Sequence, residues 1–135
     1  MIALVVVSHS EQAANGVAEV ATEMGGDARI VPVGGDPDGG IGTSAPEIED
    51  AILDAVEGPD GETADGIVVL VDLGSAVMNA ELAIEMLEED LEVVIADAPI
   101  LEGTLNAAVS ASSPKATLDE VLQRAEEARD YRKLD

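Results

Sequence analysis

Six consecutive apolar residues, Ile2 to Val7, run straight into Ser8-His9-Ser10, and a helical pattern starts at once. This stretch constrains the fold most tightly. A short apolar run rich in Val reads as a strand buried on both faces, and such strands belong to parallel sheets covered by helices. His9 is the only histidine in the chain. The order strand, turn, helix puts its imidazole at the carboxyl end of the strand. In open parallel α/β sheets, ligands and chemistry collect at that edge.

The alternation continues along the chain. A helix is expected from Glu11 to Met24, with Ser10 as its N-cap and Ala13, Val17, Val20 and Met24 on its apolar face. Gly25-Gly26 ends it, and a second strand follows at Ala28 to Val33. Pro32 removes a backbone donor there, which suits an edge strand. After a Gly-rich loop, Thr43 or Ser44 caps a helix whose apolar positions are Ile48, Ala51, Ile52, Ala55 and Val56. Ile67 to Val71 is the third strand, apolar throughout and expected to be central. Asp72-Leu73-Gly74-Ser75 leads from it into a third helix, capped by Ser75 and running to Glu89, with Met78, Leu82, Ala83, Met86 and Leu87 on a wide apolar face. A fourth strand spans Leu91 to Ala96 and a fourth helix Leu101 to Ala111. Thr117 and Glu120 form a capping box for a fifth helix, with Leu118, Val121, Leu122 and Ala125 on its apolar face. Arg124, Arg129, Arg132 and Lys133 suit the C-terminal dipole of this last helix.

This pattern predicts one α/β domain over residues 1–135. Its sheet is open, mainly parallel and four-stranded, in the order 2-1-3-4, with helices on both faces. That order brings three loops side by side, carrying His9, Thr43-Ser44 and Asp72 to Ser75.

Composition narrows the function. The chain has no cysteine, so thiolate metal sites and cysteine nucleophiles are excluded, and one histidine excludes a histidine-rich metal site. Tyr131 is the only aromatic residue, which argues against a cofactor held by stacking. The apolar runs fall well short of the roughly 20 residues that a membrane span requires, and without a basic n-region or a small-residue cleavage site no signal peptide is expected. A cytoplasmic protein is expected. Twenty-nine acids against six bases give a formal charge of −23. Such a surface repels nucleic acid and anionic membranes. Spread along the whole chain with only two lysines, it points to a halophilic protein in a salt-rich cytosol. The P-loop, Rossmann and G-x-S-x-G motifs are absent, and no cofactor is expected.

The candidate chemistry therefore centres on His9 and Asp72. A carboxylate that accepts from Nδ1–H fixes the imidazole tautomer and leaves Nε2 free. Asp72 ends the neighbouring strand, in position for this. Ser10, Thr43, Ser44, Gly74 and Ser75 open helices, where N–H and hydroxyl donors form anion sites. These donors could hold a phosphoryl group; each is also explained by plain capping.

"LVVVSHS", "GTS", "VLVDLGSAVMNAELAIEML" and "APILEG" together resemble a known family. It comprises the phosphotransferase subunits of phosphoenolpyruvate-dependent dihydroxyacetone kinases, whose domain is of the mannose-class IIA type of the phosphotransferase system. The resemblance covers essentially the whole chain. It implies that His9 carries the phosphoryl group on Nε2 and that Asp72 orients it. The donor would be the histidine phosphocarrier protein. The recipient would be ADP in the nucleotide-binding subunit of the kinase, with dihydroxyacetone phosphorylated in the substrate-binding subunit. A homodimer is also implied. "DLGSA" departs from the tryptophan- and glycine-rich turn of the sugar-transport relatives. Two alternatives remain: a sugar-transport IIA domain, and a regulatory module whose phosphorylation state is the signal.

Overall fold

A computed structural model describes residues 1–134. The chain alternates β1 (Ile2–Ser8), α1 (Glu11–Gly25), β2 (Ile30–Gly34), α2 (Ala45–Val56), β3 (Gly66–Val71), α3 (Gly74–Met86), β4 (Val93–Ile95), α4 (Ile100–Ala111) and α5 (Leu118–Glu127), with a final 3-10 turn at Ala128–Asp130. The strands form one parallel sheet in the order β2-β1-β3-β4. The expected fold class, strand order and α/β alternation are all present, in a single domain.

Why the strands read as unbroken apolar runs is clear from the two cores. Every residue of β1 and β3 is buried. Ala3, Val5, Val7, Ile67, Val69 and Val71 face the α2–α3 side. Ile2, Leu4, Val68 and Leu70 face the side covered by α1, α4 and α5. Alternate side chains thus serve opposite cores, and neither parity can be polar. β2 and β4 are edges and only half-buried. The Leu4 N–H donates to the Arg29 carbonyl, so the odd residues of β2 bond to β1. The nitrogen of Pro32 then faces the open edge, where its missing proton costs nothing.

α2 buries the expected face, and Ser44 caps it, accepting from the Glu47 N–H at 3.4 Å. The Thr117–Glu120 capping box opens α5 as expected. Several helix expectations need correction. α1 buries Ala14, Ala18, Ala21 and Gly25, whereas Val20 and Met24 are exposed. The reason is close approach: a Cβ on Gly25 would lie 2.6 Å from the Ala108 Cβ of α4. Small residues win this interface over larger ones of higher hydropathy. α3 behaves alike, burying Ala76, Ala80 and Ala83 and exposing Met78 and Leu82. It also stops at Met86, short of Glu89. The acids Glu88, Glu89 and Asp90 would otherwise sit at its negative dipole end. β4 is shorter than expected because only Val93 to Ile95 pair with β3. Of the C-terminal bases, only Arg124 lies in the last turn of α5. Arg129 and Lys133 instead reach Asp97 and Glu102.

Candidate functional site

β1 and β3 are adjacent and in register, with Val7 opposite Val71. β3 ends at that point and β1 one residue later, so the residues just beyond them emerge together. His9 follows β1 and Asp72 follows β3. The Asp72 carboxylate accepts from His9 through both oxygens: Nδ1 lies 2.9 Å from Oδ1, and the His9 backbone N–H donates to Oδ2 at 2.9 Å. The Ser8 hydroxyl also donates to Oδ2, at 2.9 Å. His9 and Asp72 side chains are 19% and 20% exposed.

Burial alone would raise the Asp72 pKa. The hydrogen bonds from the His9 backbone, the His9 ring and the Ser8 hydroxyl outweigh it, and the carboxyl is held below its ordinary value. Asp72 is therefore ionised at neutral pH and can only accept. The proton shared with the ring must sit on Nδ1, which leaves the lone pair of neutral His9 on Nε2.

Ser75 lies 2.7 Å from that Nε2, with its Oγ as the partner. This corrects the expectation that Ser75 caps α3. The cap position is Leu73, with no side-chain hydrogen bond, and the helix starts at Gly74. The first N–H groups of α3 are thus left without a side-chain acceptor beside Nε2. Space above Gly74 is open, since a Cβ there would meet nothing within 4 Å.

The third loop also arrives. The Gly42 N–H donates to the His9 carbonyl at 2.8 Å, drawing Thr43 toward the site. Asn79 of α3 donates to the Thr43 Oγ1 at 2.5 Å and ties this loop to α3. Ser10 and Ser44 are placed differently from Ser75: their hydroxyls accept from Ala13 and Glu47 N–H groups and cap α1 and α2. The sheet edge therefore brings together His9, Asp72, Gly74 and Ser75, with Thr43 tied alongside. Ser8 and Asn79 are the two participants missed by sequence reasoning. The available signals were a hydroxyl closing a buried strand and a lone amide in an apolar helix.

No basic side chain hydrogen-bonds His9, Asp72 or Ser75 among the described residues. Nor do the described residues contain a cluster of three or more histidine or carboxylate groups able to hold a metal ion. A cleft of about 640 Å³ runs from Asp72, Leu73 and Gly74 along α3 to Val93 and Ile95, and His9 lies outside it. The contact between Nε2 and Ser75 lies at the surface, outside that cleft.

Residues 3–122 match the model of the family EIIA-man, described as the PTS system fructose IIA component. The chain belongs to the EIIA-man family. Among curated relatives it is 39% identical to a Listeria innocua protein named phosphoryl donor subunit DhaM of PEP-dependent dihydroxyacetone kinase 2, over 81% of this chain and 85% of that protein. It is 33% identical to the Lactococcus lactis phosphotransferase subunit DhaM of PTS-dependent dihydroxyacetone kinase, over 90% of this chain and 93% of that protein. The match to the Escherichia coli DhaM subunit, at 38% identity, covers 90% of this chain but 26% of that longer protein. The chain is thus a DhaM-like phosphotransferase subunit. Its fold is shared with the crystal structure of the unknown-function protein EF1359, at TM-score 0.78 and 31% identity over 96% of each chain. It is also shared with an EIIA component from Streptococcus agalactiae, at TM-score 0.62 and 20% identity over 94% of each chain. No helix among the described residues is long and apolar enough to cross a membrane.

Proposed function

We propose that this chain is a phosphohistidine relay in which His9 is the phosphoacceptor. The observation that carries the reading is the pinned imidazole: Nδ1 held on Asp72, and Nε2 turned toward Ser75 and the uncapped start of α3. A nucleophile that must accept and return a group needs one free nitrogen of fixed direction.

In the forward step, the Nε2 lone pair attacks the phosphorus of a phosphohistidine on the histidine phosphocarrier protein. The new N–P bond forms as the donor's N–P bond breaks, and the donor imidazole leaves with the electron pair. Asp72 stabilises the positive charge that develops on the His9 ring. The Ser75 hydroxyl and the first N–H groups of α3 are the donors placed to receive phosphoryl oxygens. In the second step, ADP bound in the nucleotide-binding subunit of a dihydroxyacetone kinase takes the group, and His9 is restored. The resulting ATP serves the substrate-binding subunit.

The absence of a basic hydrogen-bond partner suits a carrier, because a strongly held phosphoryl group would not be passed on. The names of the relatives above favour the dihydroxyacetone branch over a sugar-transport or regulatory role. The reading includes a cytoplasmic homodimer working in high salt. Reconstitution with phosphoenolpyruvate, the general phosphotransferase proteins and the two kinase subunits tests it. Dihydroxyacetone phosphate should form with the wild-type chain and not with His9→Ala. Equal turnover by His9→Ala would refute the mechanism.

A further inference from the structure

Ser8 is buried, at 2% exposure, and sits on the central strand immediately before His9. Among the described residues, only one other polar side chain, Thr104, is as fully buried, and its hydroxyl bonds to the Ile100 carbonyl within its own helix. The hydroxyl of Ser8 faces the site instead. It donates to the Asp72 Oδ2 at 2.9 Å and accepts from the Ser10 N–H at 3.1 Å. The direction of its proton is therefore set: with the Ser10 N–H on its lone pair, the O–H points to the carboxylate.

The carboxylate needs this contact. Its other two bonds both come from His9, one from the ring and one from the backbone. The ring bond alone would let carboxylate and imidazole turn together, and the backbone N–H pins Oδ2 at one point. Ser8 is the third point, and it comes from the rigid sheet. We propose that Ser8 is a positioning residue that acts through Asp72, fixing the carboxylate plane so that Oδ1 faces Nδ1 and the His9 proton stays on that nitrogen. Without the hydroxyl, the His9 backbone N–H is the one remaining contact outside the ring that holds the carboxylate plane, and the Ser10 N–H loses its acceptor. The inference rests on the relay reading only where it concerns transfer rates; the tautomer itself does not depend on that reading.

The test uses the full chain with Ser8→Ala and Ser8→Cys. The thiol fills the space but is a weak donor. The single histidine gives one set of imidazole signals, so ¹⁵N NMR reads the tautomer directly. In both variants the ring nitrogens should shift from the Nδ1–H signature toward an averaged one. The kcat for phosphoryl transfer from the phosphocarrier protein should fall about tenfold, the low end for one hydrogen bond to a charged group, with KM unchanged. A role confined to holding the turn would lower the unfolding midpoint and leave tautomer and kcat alone. Wild-type ring signals and wild-type kcat in either folded variant would overturn the proposal. If the wild-type chain accepts no phosphoryl group, the relay reading fails, and the NMR comparison still decides the role of Ser8.

Discussion

Replacing Asp72 with asparagine should do more than remove a charge. The carboxylate accepts on both sides: Oδ1 from the ring Nδ1–H, and Oδ2 from the His9 backbone N–H and the Ser8 hydroxyl. An amide offers one oxygen and one NH₂. The backbone N–H cannot reverse its polarity, so the amide oxygen stays on that side. The NH₂ group then faces Nδ1, and the ring must present a lone pair there. The proton moves to Nε2, and the nucleophile loses the electrons it would use. At the least, a hydrogen bond to a charged group is lost, worth about 1.5–3 kcal/mol. At about 1.4 kcal/mol per factor of ten, phosphorylation of His9 should slow about 10- to 100-fold. Asp72→Ala leaves the ring free to choose its tautomer and should be no slower than Asp72→Asn. The assays are the rate of label transfer from a phosphorylated carrier and ¹⁵N NMR of the lone imidazole. An Asp72→Asn variant that keeps the Nδ1–H tautomer and transfers at the wild-type rate would refute the reasoning.

Three further outcomes follow from the structure. Gly25→Ala places a Cβ 2.6 Å from that of Ala108 and should cost about 1–3 kcal/mol by overpacking the α1–α4 contact, read by urea denaturation. Arg29→Met removes a largely buried guanidinium that donates to the Ala55, Val56 and Glu62 carbonyls. It should destabilise by about 2–3 kcal/mol, read the same way, while Asp60→Ala should matter little because that partner is exposed. The Asp72 carboxyl titrates lower in the folded chain than the ordinary value of about 3.9, so its contribution is present above that value and lost as pH falls through the folded one. The stability advantage of wild type over Asp72→Ala should therefore persist down to about pH 4 and shrink as the pH falls below that in pH-dependent denaturation.

Strand content and order were legible because burial on both faces leaves only one kind of sequence. Ile2 to Val7 and Ile67 to Val71 admit no polar residue at either parity. Helix orientation was less legible. In α1 and α3, hydropathy ranks Val20, Met24, Met78 and Leu82 above alanine, yet Ala14, Ala18, Ala76 and Ala80 take the inside; in α1 the cause is the close approach of α4 at Gly25. His9 and Asp72 stood out as a lone imidazole and an acid at neighbouring strand ends. Ser75 is expected as a helix cap and a phosphoryl-binding candidate, and the cap is not what the structure has. A serine opening a helix reads as a cap, and only the geometry shows its Oγ on Nε2. Ser10 and Ser44 look identical in sequence and do cap. Ser8 was invisible because a hydroxyl at the end of a strand usually marks the return to solvent, whereas here it is buried against a carboxylate.

The central claim is that Nε2 of His9 carries the phosphoryl group. The direct measurement is to phosphorylate the chain from a phosphohistidine donor and map the modification by mass spectrometry, with ³¹P and ¹⁵N NMR of the intact protein to assign the nitrogen. The account predicts a single phosphoramidate on His9 at Nε2, with Nδ1 still protonated against Asp72. Phosphate on Nδ1, phosphate on Ser8, Ser10 or Ser75, or no transfer from a donor that phosphorylates a control acceptor, would contradict it.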